Sequence, residues 1–269
     1  MSRVIFEAKR VSKIIDGNPI LDEIDIKLNS GEVVAITGHN GSGKSSLLKL
    51  LAALYEPNQG NISRQVLRIG YVPEHFPENL RFKLKEYLQL LGGMNGQVGW
   101  KEDMIHWVRL FGIESYLELP LKKLSKGTKQ KAGIIQALIM KPDVLLLDEP
   151  LSGLDEASQQ SLIQQLLLIK KETTVIFTSH ESDFVDTISD RKIVLDKGRI
   201  VSDNREVKSE PMKWIKARIP TELDISTLVD KVEFESAEIA VVHTQASESD
   251  SVLKELLLNG ASILEVRDK

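Results

Sequence analysis

The chain has 269 residues, 42% hydrophobic and 28% charged, a balance that fits a folded globular protein and excludes the low-hydrophobicity, high-charge composition of disordered chains. Its 35 basic and 39 acidic residues leave a formal net charge of −4, so there is no large electrostatic drive toward nucleic acid or anionic lipid, and no direct nucleic-acid binding is expected. With no cysteine, disulfides, thiolate metal sites and thiol nucleophiles are excluded. No run of about 18 apolar residues suggests a membrane span, and residues 1–13 lack the apolar stretch of a signal peptide.

In chain order, residues 4–6 and 20–28 carry the period-2 alternation of half-exposed strands, expected to be antiparallel. Residues 32–37, Glu-Val-Val-Ala-Ile-Thr, read as a buried strand. A glycine-rich loop follows, then a helix over 45–54 with Leu47, Leu48, Leu50, Leu51 and Leu54 inward. From about residue 80 to 123 helical pieces are broken by Gly92-Gly93, Gly96 and Gly99, and Pro120 closes the stretch. A helix over 129–140, a strand over 144–147, a helix over 157–171 and a strand over 173–178 then alternate as a parallel α/β core should. A strand pair at 191–195 and 199–201 ends it. Polar residues 203–211 read as a linker. Beyond it, strand 213–219, helix 223–229, strand 232–235, strand 238–244, helix 249–258 and strand 262–266 give the βαββαβ order of a ferredoxin-like unit.

The motif that carries chemistry is Gly38-His39-Asn40-Gly41-Ser42-Gly43-Lys44-Ser45, a full G-x-x-x-x-G-K-[ST] set between strand and helix, with Ser46 following. Its glycines let backbone N–H groups close around phosphate oxygens, and the helix N-terminus adds its positive dipole. Lys44 supplies a point charge for the outer phosphates and the Ser45 hydroxyl a Mg²⁺ ligand. His39 occupies a permissive position within the loop and has no separate role. The apolar strand 144–147 ends in Asp148 and Glu149: one carboxylate for the metal, one to activate water. Carboxylates often end buried strands for structural reasons, but the complete phosphate loop favours the catalytic reading.

Leu124-Ser125-Lys126-Gly127-Thr128-Lys129-Gln130 precedes this acidic pair, and Pro150-Leu151-Ser152-Gly153-Leu154-Asp155 follows it. With both phosphate motifs in this order, residues 3–202 resemble the nucleotide-binding subunits of ABC ATPases. The resemblance implies a P-loop NTPase parallel-sheet core with an antiparallel β subdomain and a helical insertion at about 80–135, forming a domain over 1–202. A linker over 203–211 and the small α+β domain over 212–269 would follow. It also implies two subunits, as homodimer or heterodimer, closing around two ATP, so that Ser125 and Gly127 of one face the γ-phosphate held by the other, with Asp155 at the interface. His180, in Thr178-Ser179-His180, is similar to the family's switch histidine. Catalysis would then rest on Glu149, His180 and Lys44, and the metal on Ser45, Asp148 and Glu74.

Two positions depart from the family pattern. Ile69-Gly70-Tyr71-Val72-Pro73 leads to Glu74 where a glutamine is usual, which puts a third carboxylate near Asp148 and Glu149 and is expected to perturb a carboxylate or slow closure. Ile15 stands where an aromatic usually stacks on adenine, implying weak base selectivity. The resemblance implies an ATP-hydrolysing motor at the cytoplasmic face of a membrane, driving separate membrane-spanning permease subunits. The form of the signature loop is similar to that of bacterial exporters. A soluble non-transport ABC ATPase and a nucleotide-binding regulatory module with little turnover are the alternatives.

Overall fold

The computed structural model describes residues 3–77, 80–94, 98–205, 212–220, 232–234, 236, 238–245 and 249–268. The chain divides into two compact units, 1–206 and 207–269.

The first unit opens with β1 (Val4–Ile15) and β2 (Asn18–Asn29), an antiparallel hairpin turned at Asp16 and Gly17, both at positive φ. β3 (Val33–Thr37) runs into the glycine loop and α1 (Lys44–Leu51). β4 (Gln59–Arg64) pairs with the free side of β1, and β5 (Ile69–Val72) enters the main sheet. The helical insertion holds α2 (Leu84–Met94) and α3 (Trp100–Leu110), packed on α4 (Lys126–Ile139). Then come β6 (Val144–Leu147), α5 (Glu156–Ile169), β7 (Thr174–Thr178), α6 (Ser182–Ile188), β8 (Arg191–Asp196) and β9 (Arg199–Arg205). Among the described residues the main sheet has six strands in the order β5-β6-β7-β3-β8-β9, parallel except for the β8–β9 pair.

Alternation within β3 shows why this sheet is buried on both faces. Val33 and Ala35 join a core with α4, α5, α6 and the insertion, whereas Val34 and Ile36 join a second core with α1 and the β1–β2 hairpin. Strands covered on both sides read as continuous apolar runs, as Val144-Leu145-Leu146-Leu147 does. The short apolar strands and the glycine loop between β3 and α1 are therefore one packing solution: the loop emerges at the carboxyl end of a strand whose neighbours are locked in register.

Some expectations are corrected. Leu54 is 58% exposed, because α1 ends at Leu51 and Ala53 adopts a positive φ that turns the chain off the helical face. Gly92-Gly93 does not break a helix. Both lie inside α2, where the indole of Trp100 occupies the space that a Cβ on Gly92 would need. Position 135 is no boundary, since α4 runs through it to Ile139 and packs its last turns on Gly70 of β5. Residues 203–205 are strand rather than linker, paired with residues 191–193 of β8. Residues 206–211, and the helix expected over 223–229, lie outside the described residues.

In the second unit β10 (Met212–Arg218), β11 (Val232–Phe234), β12 (Ile239–Gln245), α7 (Ser249–Leu258) and β13 (Ser262–Asp268) follow in order. Their sheet, β11-β12-β10-β13 with every pair antiparallel, has the ferredoxin-like strand order. Ile215, Ala217, Ala240, Val242 and Leu256 form its core.

Arg191 ties the first unit's edge together. Its guanidinium donates to both Asp203 carboxylate oxygens at 2.7 Å, to the Lys27 carbonyl at 2.7 Å and to Glu32 at 3.2 Å, and its side chain is only 7% exposed. Arg191→Met leaves two carboxylates and a carbonyl without this partner, and is expected to cost about 2–3 kcal/mol by urea denaturation, a discount on a fully buried pair because Asp203 is partly solvated.

Candidate functional site

The glycine loop, the end of β6 and the end of β7 meet around a cavity of about 390 Å³, a size suited to a small ligand. It is lined by Asn40, Gly41, Gly43, Lys44, Ser45 and Ser46 from the loop and α1, by Glu74, Glu149, Ser152 and His180, and by Ile20 of β2. The loop's shape demands glycine at particular places. Gly38 has φ +143, and a Cβ there would collide with the Leu195 carbonyl; Gly43 has φ +106, and a Cβ there would press on Leu21 and on the Ile20 carbonyl. Lys44, only 7% exposed, donates to the carbonyls of Gly38 at 2.9 Å and His39 at 3.3 Å. The ammonium is thereby held inside the curl of the loop, where an anion's oxygens would meet it. His39 contacts the Asn40 carbonyl at 2.7 Å and Asp196 at 2.9 Å, which fastens the loop to the end of β8. Ser42 is fully buried beneath the loop.

Asp148 sits under this loop, 2% exposed. One carboxylate oxygen accepts from Ser45 Oγ at 3.0 Å and from Thr178 Oγ1 at 2.7 Å. Burial pushes its carboxyl up; the Thr178 and Ser45 hydrogen bonds oppose this, and the Glu74 charge adds a smaller upward push. The expectation that Glu74 perturbs a carboxylate thus has a basis, but desolvation dominates. Thr178 also accepts from the Glu149 backbone N–H at 2.8 Å, so one hydroxyl spaces both carboxylates. Glu149 stands at φ +47, a left-handed conformation that costs a non-glycine residue of order 1 kcal/mol and here swings its carboxylate out of the strand direction into the cavity. The Glu149 carboxylate lies 3.0 Å from His180 Nδ1.

Ser125 caps α4, accepting from the Thr128 N–H at 3.1 Å. Asp155 caps α5 through Ser158 and pairs with Lys131 at 2.8 Å; the Lys131 ammonium, then the Ser158 bonds, hold its carboxyl far below the usual range. Ser125, Gly127, Asp155 and Ile15 are outside the lining of this chain's own cavity. Ile15 lies at the hairpin tip, and the aliphatic side chain that does reach the cavity is Ile20. Reading by motif missed Ile20, Thr178 and Ser152. Thr178 and Ser152 stand inside segments that the motifs had marked, whereas Ile20 had no chemical signal at all.

The donor set suits a hard divalent cation. Ser45 and Asp148 offer a hydroxyl and a buried carboxylate oxygen 3.0 Å apart beside the glycine loop, oxygen donors that would suit Mg²⁺, a cation that needs only one or two protein ligands. Among the described residues no group of three or more His, Asp or Glu is gathered to hold a metal alone.

The family model described as ABC transporter matches residues 21–152. An uncharacterised ABC transporter ATP-binding protein of Methanocaldococcus jannaschii is 31% identical over 84% of this chain and 91% of its own. A zinc import ATP-binding protein of Jannaschia sp. is 36% identical over 66% of this chain and 73% of its own. A spermidine/putrescine import ATP-binding protein of Mesoplasma florum is 30% identical over 80% of this chain, which spans 66% of that relative. Among solved structures, an ATP-binding subunit of an ABC transporter superposes over 75% of this chain and 90% of its own, with TM-score 0.68 and 27% identity. An ATP-binding cassette captured as a dimer after hydrolysis, with ADP and phosphate, shares the fold over 75% of this chain and 98% of its own, at TM-score 0.66 and 21% identity.

A carboxyl raised by burial disfavours the folded state once it ionises. The Asp148 penalty is absent below the ordinary aspartate range and grows as pH rises through the raised folded value. Asp148→Asn keeps an acceptor oxygen for Ser45 and Thr178 without the charge. It is therefore expected to stabilise the ligand-free protein at pH 7, with the gain shrinking toward about pH 4, as read from denaturant midpoints at the two pH values.

Proposed function

The chain belongs to the ABC transporter ATP-binding family and is an ATPase, and we propose that Glu149 is its general base and His180 the residue that orients it. The observation that carries this is the convergence of Lys44, Ser45, Glu149 and His180 on one cavity, with Glu149 and His180 3.0 Å apart. In hydrolysis Glu149 accepts a proton from water as the water oxygen bonds to the γ-phosphorus and the bond to the β-phosphate oxygen breaks, giving ADP and phosphate. Lys44 exchanges the carbonyls of Gly38 and His39 for phosphate oxygens, and the loop N–H groups and the α1 N-terminus hold the rest of the chain of phosphates. His180, solvent-exposed at the end of β7, is free to contact the γ-phosphate while it holds Glu149. Mg²⁺, held by Ser45 and Asp148, would neutralise charge on the β- and γ-phosphates.

ABC ATP-binding subunits pair with one another and work with separate membrane subunits. For this chain the proposal is a dimer in which Ser125 and Gly127 complete the partner's site and Asp155 lies at the interface, with permease subunits docked on the helical insertion and the Glu74 loop at the cytoplasmic face. Among the described residues no helix is long and apolar enough to cross a membrane. Of the relatives named above, those whose names state a direction are importers of zinc and of spermidine/putrescine. Export, expected from the signature loop, finds no support among them, and the proposal carries no direction or cargo.

Isolation of the tagged protein from gently solubilised membranes should bring an integral membrane protein with it; recovery only in the soluble fraction would favour a non-transport ATPase. Glu149→Gln is expected to cut turnover by about 100-fold or more while leaving ATP binding intact, in line with loss of a general base. Equal loss of binding would remove Glu149 from that role. Glu74→Gln removes a charge that raises Asp148, and should change both the rate and its Mg²⁺ dependence; a rate and Mg²⁺ profile identical to wild type would exclude Glu74 from the site's electrostatics.

A further inference from the structure

The segment between β6 and α5 is fastened at both ends. At its start Asp148 and Glu149 hang on the Thr178 hydroxyl, as described above. From there two turns follow in succession, closed by Ser152 N–H to the Glu149 carbonyl at 3.1 Å and by Leu154 N–H to the Leu151 carbonyl at 3.1 Å, with Pro150 in the first and Gly153 at φ +77 in the second. Ser152 therefore cannot shift without dragging the Glu149 backbone. The far side of these turns rests on the first two turns of α4. Gly127 lies so close to the Gly153 carbonyl that any Cβ would collide with it, and the Lys126 stem lies where a Cβ on Gly153 would make van der Waals contact. Lys126 Nζ donates to Ser152 Oγ at 3.1 Å, Gln130 to the Pro150 carbonyl at 3.5 Å and Lys131 to Asp155 at 2.8 Å.

Gln130 and Lys131 grip the segment by backbone and by a helix cap. Lys126 differs: its partner Ser152 lines the phosphate cavity together with Glu149. We infer that Lys126 is a positioning residue for hydrolysis, its ammonium holding Ser152 and, through the closed turn, the left-handed backbone of Glu149 against the cavity. Glu149 at positive φ relaxes toward the commoner region unless its surroundings hold it. Thr178 restrains it from the strand side, and Lys126 restrains it from the turn side. The inference rests on Glu149 as the general base. It assigns Lys126 no contact with nucleotide, and it predicts that the lysine governs the chemical step rather than binding.

The test uses the full chain and reads steady-state ATP hydrolysis together with the affinity of a fluorescent ATP analogue for wild type, Lys126→Met, Lys126→Arg, Ser152→Ala and the Lys126→Met/Ser152→Ala double variant. Lys126→Met should lower kcat about fivefold, a modest figure because the bond is solvent-exposed, while KM and analogue affinity stay within about twofold. Lys126→Arg, which keeps the donor, should recover most of the rate. In the Ser152→Ala background the methionine should add no further loss, since both changes cut the same bond. An unchanged kcat in Lys126→Met, a loss that appears in KM or affinity, or multiplicative losses in the double variant would overturn the inference. Absence of wild-type turnover despite analogue binding would instead count against the proposed catalysis itself, whereas wild-type turnover indifferent to Lys126→Met counts against Lys126 alone.

Discussion

A single carboxylate oxygen of Asp148 receives the hydroxyls of Ser45 and Thr178, at 3.0 and 2.7 Å, and by doing so joins three separately folded ends: the helix after β3, the end of β6 and the end of β7. The site depends on this junction, and the junction depends on parallel pairing. β6 and β7 are in register from Val144–Thr174 to Leu147–Phe177, and β3 with β7 from Val33–Val175 to Ile36–Thr178, so the residues that follow their ends emerge side by side. Burial on both faces prevents a slip, because a shift by one residue would turn every side chain to the opposite core. The two apolar cores thereby set the spacing of the polar groups above them.

The same arrangement stores cost as well as order. Asp148 is desolvated, Glu149 stands in a left-handed backbone conformation, and Lys44 is turned onto its own loop's carbonyls. A divalent cation would satisfy Asp148 and phosphate oxygens would satisfy Lys44, whereas the backbone strain at Glu149 persists because its surroundings hold it. The fold offsets such costs elsewhere: Arg191 draws β8, β9 and the chain before β3 together, and α4 clamps the turns after Glu149. Lys126, a residue of the signature loop, therefore bears on the geometry of its own chain's base while the loop it belongs to is proposed to face a partner's nucleotide.

The legible parts of the chain were those in which chemistry and local conformation share a short segment. The phosphate loop needs its glycines, lysine and serine within eight residues, and the apolar run 144–147 names both its strand and the carboxylates that end it. Legibility failed where a turn or a contact outside the local periodic pattern decided the outcome. Leu54 fits the helical face of α1 by periodicity, yet the chain leaves that face at Ala53. Gly92 looks like a breaker, but an indole eight residues on occupies its missing side chain. Asp203 looks like linker until Arg191 takes it into a strand. Ile20 carries no polar signal, and only the folding of β2 beside the loop brings it to the cavity.

By itself the sequence determined the ATPase core, the order of its motifs and the identity of the charged groups that line the cavity, because those are properties of residue type at short spacing. Tertiary structure decided which groups share an atom, which backbone is held in a strained conformation and which lysine braces the catalytic turn. The physical reason is that hydrogen bonds of 2.7–3.1 Å between Thr178, Asp148, Lys126 and Ser152 are set by strand register and helix packing across separations of 26 and 30 residues, which no local pattern records.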